Sequence, residues 1–245
     1  MIRGVKGASV ASLVWVSSLC ITGEARASVD VQAWYRLGED GLLVDSSGNG
    51  HEFRTVIGTS AVESSHPLSA TNPAGNDFLG SAFYYTGGDD GGMFNPGIQL
   101  PDDNFGVEFY VKVKDLKTAG MLFCNGAPTE KRGIEFSFDP KRGGLQSSLC
   151  GFRYVGDPYM PKDDEWVHVA MVRDSGISTF YINGVAHGDT TADDMGAPLE
   201  KEVIHLGVAP GNGQKFSGSM DEMRVFTFNS GNFRVKDLLF FQKSK

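Results

Sequence analysis

Alternation dominates the second half of the chain. VEFYVKV (107–113) sets Val107, Phe109, Val111 and Val113 on one side and Glu108, Tyr110 and Lys112 on the other. That is the period-2 signature of a strand with one buried face. IEFSF (134–138) and EMRVFTF (222–228) alternate in the same way. WVHVAMV (166–172) is apolar in both phases apart from His168, which predicts a strand covered on both faces. After a turn at Asp174, Ser175 and Gly176, STFYINGV (178–185) completes a hairpin. Asn183-Gly184 marks a further tight turn suited to positive φ. Short alternating runs separated by Gly, Asp, Asn and Pro predict antiparallel β structure, and at this length a sandwich or barrel. Helical spacing is nearly absent. The exception is NFRVKDLLFF (232–241), a short C-terminal helix candidate with Phe233, Leu238 and Phe241 available to pack on the body.

The first 27 residues break this pattern. Arg3 and Lys6 precede an uncharged apolar run, ASVASLVWVSSLCI (8–21), and Ala25 and Ala27 occupy the small-residue positions before a cut. This reads as a secretory signal peptide, residues 1–27, whose apolar core is short for a membrane span. Leu19 stands where a lipoprotein signal needs a small residue before Cys20. The expected mature domain is 28–245, secreted to an extracellular or periplasmic space, with no membrane contact after the signal is removed. Cleavage after Ala27 takes the net charge from −8 to −10. No basic run exists to neutralise phosphates, so nucleic acid is excluded as a general partner. Cys124 and Cys150 remain, an even pair that an oxidising compartment would allow to bridge. They fall in the first and third strands of a predicted meander, and strands two apart are about 9.6 Å distant, too far for a bridge unless both lie at one end. A disulfide and two buried thiols both stand as readings.

Three stretches carry a family resemblance. WVHVAMVRDSGISTFYINGV (166–185) offers Trp166, His168, Val169, Ala170, Tyr181, Asn183 and Gly184 in a Trp-x-His-Val-Ala strand followed by a Tyr-x-Asn-Gly turn. AWYRLGEDGLLVDSSGNGHEF (33–53) looks like an opening strand plus loop. FSGSMDEMRVFTF (216–228) looks like a closing strand, with Gly218, Met220, Asp221 and Glu222 in order. Together they resemble the laminin-G-like and pentraxin-like jelly rolls of the concanavalin A-like lectin/glucanase fold. The resemblance implies an all-β fold, a two-sheet antiparallel jelly-roll β-sandwich.

The same resemblance implies that the first and last strands lie side by side, bringing the DSSGNGH loop (45–51) near Asp221. Some relatives hold calcium between such loops, and Asp45, Gly48, Asn49 and Asp221 are the candidate oxygen ligands. The alternative is a turn capped by local hydrogen bonds from Asp45, Ser46 and Asn49. For a ligand surface the candidates are aromatic: Tyr154 and Tyr159 in an irregular segment with two prolines, together with Tyr84 and Phe94. Such rings stack on the apolar faces of sugars and offer a hydroxyl. His168 reads as a packed strand residue, since a catalytic base needs a positioned partner.

No catalytic pattern appears. A strand bearing Glu-x-Asp-x-Glu, which would set two carboxyl groups on one face for glycoside hydrolysis, is missing. G-x-S-x-G and H-E-x-x-H are missing too. The sequence therefore reads as a non-catalytic binding module, with carbohydrate the ligand class implied by resemblance and calcium a possible loop stabiliser. A structural or adhesive domain binding a cell-surface protein is the alternative. A glycan-active hydrolase or lyase with an unrecognised site is the third.

Overall fold

The structure, a computed structural model, describes residues 28–37, 44–52, 55–56, 61–63, 82–86, 93–95, 98, 100–125, 133–149, 153–191, 204–209 and 213–242; between 55 and 95 it describes backbone only. The expected signal peptide at 1–27 and Cys150 lie outside the described residues, so the disulfide stays an expectation. Among the described residues no helix is long and apolar enough to cross a membrane.

Fifteen strands are described. They are β1 (Val29–Tyr35), β2 (Thr55–Val56), β3 (Ala61–Glu63), β4 (Ala82–Thr86), β5 (Met93–Asn95), β6 (Phe105–Val113), β7 (Gly120–Asn125), β8 (Ile134–Asp139), β9 (Gly144–Leu149), β10 (Arg153–Tyr159), β11 (Trp166–Asp174), β12 (Ile177–Ile182), β13 (Val185–Thr191), β14 (Ile204–Leu206) and β15 (Ser217–Phe228). They form two antiparallel sheets. The eight-stranded sheet runs β13-β12-β11-β6-β15-β4-β3, with β1 also paired to β15, and the seven-stranded sheet runs β10-β9-β8-β7-β14-β5-β2. The jelly-roll expectation is met.

Alternation explains the layers. Val107, Phe109, Val111 and Val113 of β6 and Val167, Val169 and Met171 of β11 face Ile134, Phe136 and Phe138 of β8 across one core. Phe136 meets Phe109 edge-on at 5.0 Å between ring centres, a favoured aromatic geometry. The opposite phase of β11 is buried as well. Trp166, His168, Ala170 and Val172 lie on the outer face, covered by the C-terminal segment. A strand apolar in both phases thus has cover on both sides, as its sequence predicts.

That segment is not an α-helix. It forms two 3-10 turns, Val235–Asp237 and Leu239–Phe241, joined by an extended Leu238. Its backbone is diverted into the sheet: Leu239 N–H donates to Glu108, and the Asp237 carbonyl accepts from Arg224. Those groups are then unavailable to an i→i−4 ladder. Phe233 and Leu238 still pack with Phe226 and Phe228, as the sequence suggests. Asn183 and Gly184, at φ 48° and 71°, make the β12–β13 turn, and a Cβ on Gly184 would stand 2.4 Å from the Phe241 ring.

Candidate functional site

Among the described residues, three polar constellations bear on the candidates read from sequence. The first lies beneath the C-terminal segment. Glu108 on β6 is fully buried, with Oε2 2.9 Å from His168 Nε2 on β11 and 2.8 Å from the Leu239 N–H. Arg224 on β15 donates from Nε to Glu108 Oε1 at 2.6 Å, and its Nη2 contacts the same oxygen. Burial works against the charged carboxylate. Arg224, His168 and the Leu239 N–H outweigh it and hold the group below its ordinary range. Phe240 tilts over His168 at 5.7 Å and Tyr110 meets the ring edge-on at 5.0 Å. The carboxylate has no open side for a substrate. This constellation fastens the last strand and the tail to the sheet.

The second place is the opening turn. Trp34 and Ser47 donate their N–H groups to Asp45 Oδ1 at 3.0 and 2.9 Å, and His51 donates to Oδ2 at 3.0 Å. The Asn49 amide donates to the carbonyls of Val31 and Gln32. For Asp45 burial again opposes the charge, and the bonds from Ser47, Trp34 and His51 prevail, lowering its pKa. The turn is therefore stitched to β1 around a buried carboxylate. Opening and closing strands do lie side by side: Trp34 pairs with Arg224 and Tyr35 with Met223. Asp221 sits two positions past that last pair, buried, its Oδ1 accepting the Glu222 N–H at 2.8 Å. Glu222, at φ 51° in the bulge that follows, accepts from Trp34 Nε1 at 2.5 Å and Arg36 Nε at 3.3 Å. Three N–H donors around Asp45 make the environment of a turn cap and crowd the carboxylate that calcium would need. Among the described residues no three His, Cys, Asp or Glu side chains gather to hold a metal ion.

The third place is the outer face of the seven-stranded sheet. Register carries one line across it. Tyr154 stands opposite Ser148, Ser148 opposite Glu135, Glu135 opposite Cys124, Cys124 opposite His205, and His205 opposite Phe94. Directly paired residues share a face. Ile134, Phe136, Ile204 and Leu206 fill the core, so this line looks outward. Five strand spacings make it roughly 24 Å long.

Tyr154 marks the β10 end of the line. The residue is 38% exposed, and the Arg142 guanidinium lies over its ring, 5.1 Å from the centre. Arg142 belongs to the 3-10 turn Pro140–Arg142 and pairs with Asp139 at 3.5 Å. Beside Tyr154, Ser148, Ser137 and Gln146 are buried, and Gln146 Nε2 donates to Ser137 Oγ at 3.1 Å. Burial pushes the Glu135 carboxyl up, against the Ser137 hydrogen bond and Arg142. Burial lowers the His205 pKa. Tyr159, farther along β10, is half-buried against the core. Its hydroxyl donates to Glu165 at 3.2 Å, and burial and then Glu165 raise its pKa.

Of the four aromatic candidates, Tyr154 and Tyr159 lie on strand β10 rather than in an irregular segment, and they part company there: Tyr154 is on the outer face and Tyr159 packs against the core. Phe94 is on the Tyr154 register line at the far side of the same sheet. Tyr84 is on the other sheet, opposite Ser219. The side chains of Phe94 and Tyr84 lie outside the described residues. Arg142, Glu108 and Arg224 were not candidates from sequence. The only signal for Glu108 was a carboxylate in the middle of the outer phase, flanked by apolar and aromatic neighbours.

The model of the concanavalin A-like lectin/glucanases superfamily matches residues 86–229. No curated protein matches the chain. Among solved structures, domain 4 of AbnA, an extracellular GH43 arabinanase from Geobacillus stearothermophilus, in complex with arabinotriose, has a TM-score of 0.64 at 23% identity, covering 88% of this chain and 100% of that one. The botulinum neurotoxin serotype D binding domain has a TM-score of 0.58 at 14% identity, covering 84% of this chain and 49% of that one. The receptor binding domain of the C/D mosaic serotype has a TM-score of 0.58 at 13% identity, covering 84% and 49%. The chain thus spans about half of each toxin domain. At these identities the likeness is one of fold.

Proposed function

The chain belongs to the concanavalin A-like lectin/glucanases superfamily, and on that premise we propose that it is a secreted, non-catalytic module that binds carbohydrate on the outer face of its seven-stranded sheet, at the β10 edge. The observation that carries this reading is Tyr154: a part-exposed ring, in contact with the Arg142 guanidinium, at the open end of a row of buried hydroxyl and amide groups and the Glu135 carboxyl. An aromatic face next to directional polar groups is what recognition of a sugar ring requires. The arabinotriose complex of AbnA domain 4 supports carbohydrate as the ligand class. The buried setting of Glu108 supports a structural role for the one carboxylate that has both a His and an Arg partner among the described residues.

The test is a glycan array of the mature chain, followed by titration of each hit against Tyr154→Ala and Arg142→Ala. The expected result is a defined set of glycans whose affinity falls roughly tenfold on loss of the ring. An array without hits, or hits indifferent to both substitutions, overturns the reading; capture of a cell-surface protein with full affinity by both variants would favour the adhesive alternative. Secretion is tested by sequencing the N-terminus of the exported chain, with Ser28 the expected first residue. Calcium at Asp45, Gly48, Asn49 and Asp221 is a separate proposal, tested by melting with millimolar calcium and with chelator. The three N–H bonds on Asp45 argue for equal midpoints, and a calcium-dependent rise would require the turn to reorganise.

A further inference from the structure

A second register line crosses the eight-stranded sheet: Trp166 opposite Lys112, Lys112 opposite Ser219, and Ser219 opposite Tyr84. Where it runs past Lys112 it borders an open cleft of about 150 Å³, lined by Lys112, Lys114, Asp163, Asp164 and Ser219 among others. Lys112 is not a mobile surface lysine. Its side chain is only 14% exposed, and its ammonium lies over the Trp166 ring at 5.5 Å, which confines both stem and charge.

The ammonium faces Asp164 Oδ1 at 3.1 Å, and the Asp164 side chain is 85% exposed at the mouth of the cleft. Asp164 has φ 56°, a left-handed conformation that side chains rarely adopt. The turn around it enforces this. Glu165 N–H donates to the Lys162 carbonyl at 3.3 Å, Lys162 N–H donates to Glu165 Oε2 at 2.7 Å, and Tyr159 O–H donates to Glu165 Oε1 at 3.2 Å. Non-glycine residues held left-handed by their surroundings are enriched at ligand clamps.

A confined ammonium and a carboxylate on a constrained backbone therefore stand side by side at hydrogen-bond separation, both lining the cleft. An incoming anion would meet Asp163 and Asp164, and an incoming cation would meet Lys112 and Lys114. A vicinal diol meets neither penalty: one hydroxyl oxygen accepts from the ammonium while its neighbour donates to the carboxylate. The Asp164 side of the pair is 85% exposed and screened by water, so sharing it with two hydroxyls costs little. We propose that this cleft is a subsite for a single neutral sugar residue, gripped through a vicinal diol by Lys112 and Asp164. It lies on the opposite sheet from Tyr154 and does not depend on that site.

Heteronuclear NMR titration of the mature chain tests it. The probes are methyl β-D-galactopyranoside, methyl α-L-arabinofuranoside and trans-cyclohexane-1,2-diol, with cyclohexanol and inorganic sulfate as controls. The diols should shift the amides of Lys114, Asp164, Gly218 and Ser219 saturably, and the controls should not. Lys112→Met keeps the stem on Trp166 and should weaken the diols roughly tenfold or more. Asp164→Gly, at an exposed side chain with relaxed backbone, should do the same, and it decides the matter if Lys112→Met melts early. Tyr154→Ala should leave these shifts unchanged, even if it abolishes binding at the β10 edge. No saturable shift with any diol, stronger binding of sulfate, or full diol affinity in both cleft variants would overturn the proposal.

Discussion

The backbone N–H of Leu239 donates to Glu108 Oε2 at 2.8 Å, and the same carboxylate accepts from Arg224 on the last strand. One buried charge thus holds three separate parts of the chain. Removing one partner of a buried pair leaves the other charge without compensation, which costs about 3–5 kcal/mol. Glu108→Ala should destabilise by that order in urea unfolding. It should also speed amide exchange at Leu239 and Phe240 before global unfolding. Unchanged exchange at those two amides would show that apolar packing alone keeps the tail in place.

Acid should act through the same carboxylates. Glu108 and Asp45 both have pKa values lowered in the fold. Each therefore adds stability that is complete above the ordinary carboxylate pKa of about 4, and that is lost as pH falls through that value towards the folded one. The melting midpoint should hold from neutrality to about pH 5 and then drop. Asp45→Asn should flatten part of that drop, and a midpoint constant down to about pH 3 would contradict the assignment.

Glu135 carries the opposite sign. Burial raises its pKa, so its folded form favours the proton. Its contribution is most favourable below the unfolded pKa and declines as pH rises through the folded one. Glu135→Gln should raise the melting midpoint at neutral pH and lose that advantage near about pH 4. An equal effect at both pH values would point to packing rather than charge.

The two sheets meet along one side, where β10 and β13 approach closely. Thr190 Oγ1 donates to the Tyr154 carbonyl at 3.0 Å, Arg153 Nη1 donates to the Thr191 carbonyl at 3.0 Å, and His187 Nδ1 lies 3.0 Å from the Asp157 carbonyl. A Cβ on Gly156 would come within 2.6 Å of the His187 carbonyl, at φ 67°. Gly156→Ala should open this seam, costing about 1–3 kcal/mol, and should speed amide exchange along β13 while leaving β8 protected. Because Tyr154 rides on β10, the same substitution should weaken any glycan held there.

Strand phase was legible from side-chain alternation because one face of each strand meets the core: β6, β8, β11, β12 and β15 lie where their patterns put them. The apolar outer phase of β11 announced a cover, but the kind of cover was hidden. Leu238, Leu239 and Phe240 are buried in succession, a run that the one-sided spacing of an amphipathic surface helix does not produce, because sheet side chains capture the tail's backbone groups. The Glu108–Arg224 pair was hidden for another reason: 116 positions separate two charges that each look like ordinary outer-phase residues. The Lys112–Asp164 cleft shows the same limit, since only register places Lys112 beside Ser219 and below the turn that carries Asp164.

β15 has β6 along one edge and both β4 and β1 along the other. It is the last described strand in chain order and an interior one of its sheet. β1, β4 and β6 therefore stay without their shared neighbour until residues 217–228 dock among them. Closure of the eight-stranded sheet thus rests on one insertion made through long-range contacts, a topology that folds slowly.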